Sequence, residues 1–401
     1  EVYFNKPPLT FWIHGAFLRA FGTDIWVTRL PTLLAAMGAL LLTVNLTRRL
    51  AGHRIALLTG CITALTLEFF RFTNAIALDM WTTLWMLGVV WCIVRAHASG
   101  RWTWLLLVSL PLGAALMTKP MLGLVAPLLG GIWLATRAPK LLPALGAGTI
   151  VGVALAAPWH ISMMLLHPEF TSTYFGSQSL DRATGAEHGG APWWYYARQL
   201  GVMYWPWMLT LVLALVSMAR ERPGARDRAA LLLAAIWCGS WLVMLSLFGD
   251  RAGRYAVPVY PLLAVFSAWW LIRRAPPSMR RGGRRAMLWL GPAAVAVALI
   301  AFLLPLQVFS PRHEKWDALQ DFLTNVPDAH LWTTKGSNGA AANVYLIDGR
   351  WPTVMRADAQ PDAGDLVFLR GWELNDVPLQ GDIVFSASDL RLLRVSSPAL
   401  R

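Results

Sequence analysis

Residues 143–166 decide the fold, and they read PALGAGTIVGVALAAPWHISMMLL, with no Asp, Glu, Lys or Arg. A helix needs about 20 consecutive apolar residues to cross the hydrocarbon core of a bilayer. Comparable apolar runs recur along the chain and predict about ten spans in all. The predicted spans are 25–47, 55–73, 78–96, 102–118, 121–136, 143–166, 199–219, 229–248, 256–272 and 286–307. The shorter apolar run 9–21 predicts an interfacial helix.

Composition supports a polytopic membrane protein and excludes an ordinary soluble domain. The 401 residues are 56% hydrophobic and only 14% charged, with a mean hydropathy of +0.48. Soluble domains carry about 25% charged residues. Trp is frequent, with 22 residues, and many lie near the ends of apolar runs. Amphipathic rings at these positions are typical of membrane interfaces.

The net charge of +13 comes largely from short loops between apolar runs, so it indicates topology rather than nucleic-acid binding. Alternate loops contain 17 Lys or Arg residues on one side and 5 on the other. The positive-inside rule places the basic set in the cytoplasm. The long loop 167–198 and the tail 308–401 are then predicted to lie outside.

The C-terminal tail differs in character from the rest of the chain. Residues 314–325 have a helical pattern, and Leu366–Leu369 and Ile383–Phe385 are short β-like runs. Gly, Asp and Pro separate these runs. We therefore predict a transmembrane domain over residues 1–307 and a small α/β periplasmic domain over residues 308–401.

Ionisable residues at membrane depth are costly and therefore mark candidate sites. The predicted outer side offers one carboxylate and several cations near the membrane surface. These are Asp79, Lys6, Lys119, Arg251 and Arg254. Such a set suits an anionic substrate such as a phosphate, with Asp79 as an acid or base.

Each of these residues also has a plainer interpretation. Lys6 precedes Pro7 and Pro8 and could be a snorkelling lysine. Asp79 could be a helix-terminal partner for the dipole. Lys119 could be a solvated loop residue. Arg251 and Arg254 could together bind a phosphate through their guanidinium groups. Either could instead form a surface ion pair with the nearby Asp250.

The long outer loop adds polar and aromatic candidates. Its ionisable and amide residues are His167, Glu169, Gln178, Asp181, Arg182, Glu187 and His188. Their spacing does not match a known set of metal ligands. It ends in Pro192-Trp193-Trp194-Tyr195-Tyr196, which is either an interfacial belt or a sugar-stacking surface. We take Tyr195 and Tyr196, with Tyr255, as the candidate substrate groove.

Several short motifs together resemble a family of membrane glycosyltransferases that use lipid-linked sugars. The motifs are Asn5-Lys6-Pro7-Pro8-Leu9, Leu78-Asp79, Met117-Thr118-Lys119, Trp194-Tyr195-Tyr196, and Arg254-Tyr255 with Pro258 and Pro261. They occur in the order found in the family of aminoarabinose transferases and protein O-mannosyltransferases, and the resemblance covers about residues 1–275. It implies a mainly α, GT-C type fold.

The resemblance also implies a reaction and a location. The family moves a sugar with inversion from a polyprenyl phosphate to a lipid A, envelope glycan or protein acceptor, outside the bacterial inner membrane. Lys6 and Lys119, assisted by Arg254, would neutralise the leaving phosphate, and Asp79 would orient the acceptor or manage its proton. The implied partners are the donor, the acceptor and membrane lipid, without nucleic acid and without a required cofactor.

The chain departs from the family pattern in three places. It begins at Glu1, after the family's acidic pair in the first outer loop, which predicts an N-terminal truncation. Asn5 stands where aminoarabinose transferases have Glu. Gln178 aligns with their metal-associated His. The loss of both ligands argues against a metal site and against a close relationship to aminoarabinose transferases.

Two other classes of function remain open from the sequence. A transporter or flippase for a lipid-linked sugar would also need cations and a groove, but we find no internal repeat and no paired broken helices. A non-catalytic assembly subunit is the other alternative, and it is favoured by the missing acidic loop.

Overall fold

The computed structural model describes residues 6–22, 24–73, 77–172, 174, 192–249, 251–277, 313–334, 352–355, 360–370, 379–387 and 390–397. The chain forms two compact units. The first contains nearly all residues up to Leu303, and the second contains Leu304–Arg401.

All regular secondary structure in the described residues of the first unit is helical. Its α-helices are α1 (Leu9–Phe21), α2 (Ile25–Ala51), α3 (His53–Ala64), α4 (Leu67–Thr73), α5 (Leu78–Ser99), α6 (Thr103–Leu106), α7 (Ser109–Leu116), α8 (Pro120–Gly123), α9 (Val125–Arg137), α10 (Leu142–Leu166), α11 (Pro168–Thr171), α12 (Tyr195–Met203), α13 (Trp207–Arg220), α14 (Ala225–Leu247) and α15 (Tyr260–Arg273). Two 3-10 segments, Pro139–Leu141 and Gly253–Val259, precede α10 and α15.

Within the described residues, six helical stretches are long and apolar enough to cross a membrane, or up to eight if each bent pair counts as one span. Large apolar side chains on their outer surfaces are exposed, including Ile150 and Leu165 on α10. Surfaces of this kind face lipid rather than water. The prediction of a polytopic, mainly helical membrane protein is confirmed. The predicted span 286–307 lies outside the described residues.

Two of the predicted spans are broken rather than straight. α3 and α4 meet at 67°, and α12 and α13 meet at 115°. At the first break, buried threonine hydroxyls bond the carbonyl four residues back, as Thr63 does to Thr59 (2.8 Å) and Thr66 does to Ile62 (2.7 Å). This pattern bends helices. At the second break, Pro206 has no N–H to continue the helix.

Two stretches form the centre of the first unit. Of the 18 most apolar consecutive residues of α5, 67% are buried. The same measure gives 83% in Gly253–Arg273 but only 22% in Pro139–Leu166. α5 packs against α7, α9 and the 3-10 segment Gly253–Val259, and α15 packs against α3, α13 and α14. The two central stretches therefore bring the start of α5 close to the Gly253–Val259 segment.

In its described residues, the second unit contains a five-stranded mixed sheet and a helix, α16 (His313–Thr324). Its strands are β1 (Leu331–Thr333), β2 (Thr353–Val354), β3 (Leu366–Arg370), β4 (Gln380–Ala387) and β5 (Leu390–Ser397), in the order β2-β1-β3-β5-β4. β1 is parallel to β2 and β3, whereas β5 is antiparallel to β3 and β4. The prediction of a small C-terminal α/β domain is confirmed.

Alternation along the strands builds two apolar layers in this sheet. Leu366 and Phe368 of β3 join Leu319 and Leu323 of α16 on one face. Val367 and its same-face neighbours form the other cluster. Because successive strand residues point to opposite faces, one short strand serves both layers.

Candidate active site

Asp79 lies in the first turn of α5 and is nearly fully buried. The residue at the cap position is Ala77, which has no polar side chain. The Asp79 carboxylate instead accepts a hydrogen bond from the Lys119 ammonium, with 2.5 Å between Oδ1 and Nζ. Asp79 is therefore one half of a tertiary ion pair rather than a simple helix cap.

Lys119 occupies the break between α7 and α8. Its backbone is non-helical (φ −147°, ψ 88°), and Pro120 begins α8. A proline disfavours helical geometry in the residue before it, which explains the break. The Lys119 and Asp79 side chains are only 11% and 6% exposed. A pair this little exposed is stable only while both charges are present.

A second cation and an aromatic ring border this pair. The Tyr255 ring lies 5.2 Å from Lys119 Nζ and 5.4 Å from the Arg254 guanidinium. Both distances suit a cation–π contact with the ring. Trp241 Nε1 donates to the Tyr255 carbonyl (2.9 Å) and fixes the backbone. The predicted residues Asp79, Lys119, Arg254 and Tyr255 thus come together.

The Lys6 segment enters next to the Lys119 turn. The Leu9 amide, at the start of α1, donates to the Met117 carbonyl (3.2 Å). Lys6 is three residues before this bond, and Lys119 is two residues after it. The bond brings the two lysine-bearing segments side by side. Asn5 lies outside the described residues.

α1 is further attached through His14, a residue that the sequence analysis did not single out. His14 Nε2 lies 3.4 Å from the Thr32 hydroxyl of α2 and 3.4 Å from Trp81 Nε1 of α5. Burial lowers the pKa of His14. Because a neutral imidazole can accept one of these bonds, the neutral form suits this position. Trp81 follows Asp79 by two residues, so His14 connects α1 to the site-bearing turn.

Arg251 has a structural contact as well as a predicted binding role. Its guanidinium donates to the Ser246 carbonyl (2.8 Å), in the last turn of α14. Cations at helix C-termini satisfy exposed carbonyls and the helix dipole. Asp250, the alternative partner, lies outside the described residues.

The two adjacent tyrosines differ in their surroundings. Tyr196 is buried, and its hydroxyl donates to the Ala252 carbonyl (3.2 Å). Tyr195 is half-buried and packs edge-on against Tyr196. Tyr196 therefore holds the backbone of the 251–255 segment through this hydrogen bond. Trp193 and Trp194 are exposed, as an interfacial belt requires.

The sequence analysis also missed Glu68, a buried carboxylate in α4. It accepts hydrogen bonds from Arg71 (3.0 Å) and from Gln199 of α12 (3.1 Å). Its signal in the sequence is a Glu and an Arg three residues apart inside an apolar run. The partner Gln199 is 131 residues away and could be found only from the fold.

Among the residues that the structure describes, no group of three His, Cys, Asp or Glu side chains could hold a metal ion. Gln178, on which the metal argument partly depends, lies outside the described part of the loop. The described site combines one carboxylate with several cations, a donor set that suits a phosphate-bearing substrate.

Comparison with known proteins finds one matching family and several similar enzymes. Residues 5–161 match the family described as dolichyl-phosphate-mannose-protein mannosyltransferase. The chain is 29% identical over 320 residues to the undecaprenyl phosphate-alpha-4-amino-4-deoxy-L-arabinose arabinosyl transferase of Erwinia tasmaniensis, covering 77% of this chain and 56% of that protein. The same enzyme of Pectobacterium carotovorum gives 29% over 319 residues, 75% and 55%. The chain thus spans little more than half the length of these relatives.

Solved structures show the same fold. The crystal structure of ArnT from Cupriavidus metallidurans bound to undecaprenyl phosphate matches with a TM-score of 0.71 at 18% identity, covering 98% of this chain and 88% of that chain. The apo oligosaccharyltransferase of Archaeoglobus fulgidus matches with a TM-score of 0.50 at 12% identity, covering 93% and 58%. The predicted GT-C fold and the resemblance to lipid-linked-sugar glycosyltransferases are confirmed.

Proposed function

We propose that the chain is the membrane part of a glycosyltransferase that moves a sugar, with inversion, from a polyprenyl phosphate to an acceptor. The observation that carries the proposal is the Asp79–Lys119 pair, whose ammonium lies near the Tyr255 ring, with Arg254 near the same ring. The donor named for the similar enzymes, an undecaprenyl phosphate sugar, supports the donor class. The proposal covers pentosyl and hexosyl donors, and lipid A, an envelope glycan or a protein hydroxyl as acceptor.

In the proposed reaction, the acceptor hydroxyl attacks the anomeric carbon as the bond from that carbon to the phosphate oxygen breaks. The polyprenyl phosphate leaves with the bonding electron pair. Asp79 takes the proton from the attacking hydroxyl or orients it. A single displacement of this kind inverts the anomeric centre.

The cations stabilise the charge that develops on the leaving phosphate. Lys119 has three N–H donors, and one of them bonds Asp79. The other two could donate to a phosphate oxygen while the ammonium keeps its bond to the carboxylate. Lys6, Arg251 and Arg254 would add charge around the same group, and Tyr195 and Tyr255 would line the sugar-binding groove.

The proposed location is the bacterial inner membrane, with the site and the C-terminal unit on the periplasmic side. The 17-to-5 asymmetry of basic residues between alternate loops supports this orientation. A fusion scan with a reporter that is active only in the periplasm, placed after Arg401 and within the 220–228 loop, tests it. We expect signal from the first fusion and not from the second.

The experiment that tests the function is a transfer assay on membranes containing the full-length gene product and radiolabelled polyprenyl-phosphate sugars. We expect label to move into a product, and Asp79→Asn to abolish the transfer when equal amounts of folded protein are compared. The matched control is Glu221→Gln, which changes an equivalent carboxylate in the exposed pair with Arg274. Absence of transfer from every donor by the folded protein would refute the proposal.

Transport of a lipid-linked sugar is the second candidate. The sequence predicted no broken helices, but two bent helix pairs are present, and they favour this candidate because broken helices line transporter sites. The two functions separate in detergent, where a flippase forms no glycosidic bond. Product formed in detergent excludes transport as the sole activity.

A further inference from the structure

Glu68 is a buried carboxylate that the proposed transfer reaction does not use. It follows the break between α3 and α4, where its side chain is 2% exposed. Each carboxylate oxygen has a partner, Arg71 on Oε2 and Gln199 on Oε1. A buried charge that is satisfied in this way fixes the relative position of the elements that contribute the partners. Here those elements are α4 and α12.

The 251–255 backbone passes directly against this carboxylate–amide pair. A Cβ atom added to Gly253 would lie 2.9 Å from Glu68 Oε1 and would overlap Gln199 Nε2. A side chain at residue 253 would force the ends of Glu68 and Gln199 to move, so the observed approach depends on the glycine. The pair forms the surface on which the middle of this segment rests.

Neighbouring contacts attach the same segment on either side of Gly253. The Tyr196 hydroxyl bonds the Ala252 carbonyl, and Trp241 bonds the Tyr255 carbonyl. Tyr196 and Gln199 are three residues apart, on one face of α12. α12 thus supplies two supports for the segment, and Glu68 fixes the second of them.

We propose that Glu68 is a positioning residue that holds the 251–255 segment so that Arg254 and Tyr255 stand beside Lys119 at the donor phosphate. This inference rests on the proposed function for the identity of the phosphate. Glu68 acts through Gln199 and the backbone at Gly253, and not on the reacting atoms. Its loss should therefore affect donor binding more than the chemical step.

Hydrogen–deuterium exchange of peptides covering residues 251–256 tests the positioning directly, on the full-length protein in detergent. We expect exchange to become about tenfold faster in Glu68→Ala, as for loss of a hydrogen bond to a charged group. Glu68→Gln should stay close to wild type, because its amide oxygen can still accept from Gln199. Gly253→Ala perturbs the same contact from the other side and should also accelerate exchange.

The matched control is Asp227→Ala, which removes another buried carboxylate, held by Arg273 and Trp269 near the other end of α14. It should leave exchange in residues 251–256 unchanged. Equal acceleration in this variant, or no acceleration in either Glu68→Ala or Gly253→Ala, overturns the positioning role.

Binding of polyprenyl phosphate and transfer kinetics provide the second readout. We expect Glu68→Ala to weaken binding about tenfold and to raise the KM for the donor with a smaller change in kcat. Wild-type protein that binds no polyprenyl phosphate would refute the proposed function, while the exchange result would still decide the role of Glu68. Normal binding by Glu68→Ala, with wild-type binding intact, refutes the inference alone.

Discussion

Replacing Lys119 by Met should destabilise the protein and abolish transfer, and the two effects should separate when Asp79 is also changed. Met keeps an unbranched apolar side chain, one atom shorter than that of Lys, and removes the charge. At 2.5 Å, two unit charges attract by about 7 kcal/mol at an effective dielectric constant of roughly 20. Desolvation offsets part of this attraction, and breaking a buried pair by removing one partner costs about 3–5 kcal/mol. We expect that loss of unfolding free energy in Lys119→Met.

The double variant Asp79→Asn with Lys119→Met leaves no charge unpaired. Its unfolding free energy should return to within about 1–2 kcal/mol of wild type, because replacing both members of a buried pair is far less costly than removing one. Its transfer activity should remain absent. A folded, stable and inactive double variant would separate the catalytic role of the pair from its structural role.

The assay is reversible unfolding in mixed micelles of mild detergent and sodium dodecyl sulfate, followed by tryptophan fluorescence, beside the transfer assay. Glu221→Gln, in the exposed pair with Arg274, should change the unfolding free energy by no more than about 1 kcal/mol. If the double variant loses as much free energy as the two single variants together, Asp79 and Lys119 are not coupled, and the reasoning is refuted.

Three further predictions follow from the site. Tyr255→Ala should weaken polyprenyl-phosphate binding several-fold, because it removes a cation–π contact worth about 0.5–2 kcal/mol. Tyr255→Phe keeps the ring and should bind normally. An equal loss of binding in both variants would contradict the ring contact. Arg254→Gln should raise the KM for the donor and flatten its salt dependence, and an unchanged salt dependence would remove Arg254 from the phosphate site. Burial lowers the pKa of His14 below its usual 6.5. The unfolded chain therefore binds more protons, and stability is lost as the pH falls below about 6.5. Thermal unfolding measured between pH 5 and 8 should show a smaller loss of stability in His14→Gln than in wild type, and parallel curves for the two proteins would exclude His14 as the cause.

The sequence identifies the charges of the candidate site but not their arrangement. Asp79 and Lys119 each stand out as charges beside apolar runs, but their pairing spans 40 residues and depends on how α5 and α7 pack. Pro120 was recognisable as a helix break, and that break is what turns Lys119 toward Asp79. Local pattern thus located each charge, and tertiary packing decided which charges meet.

The breaks inside two predicted spans could not be predicted from hydropathy. Hydropathy averages over a window and does not report direction, so a helix bent by 115° and a straight one have the same profile. Glu68 was hidden for a related reason, since its carboxylate is stabilised by Gln199 from a distant helix. The small sheet was more accessible, because strand alternation and glycine-containing turns are local signals.

The indole donors behind the 253–259 segment give the abundant tryptophans a second use. Trp237 donates to the Pro258 carbonyl and Trp241 to the Tyr255 carbonyl, both at 2.9 Å. Backbone that departs from α-helical bonding at membrane depth must find substitutes for water. These two indole N–H groups replace the hydrogen bonds that water would otherwise make to this irregular main chain. A protein engineer who wished to regraft the Arg254–Tyr255 turn onto another helical bundle would therefore need to move the two indoles with it.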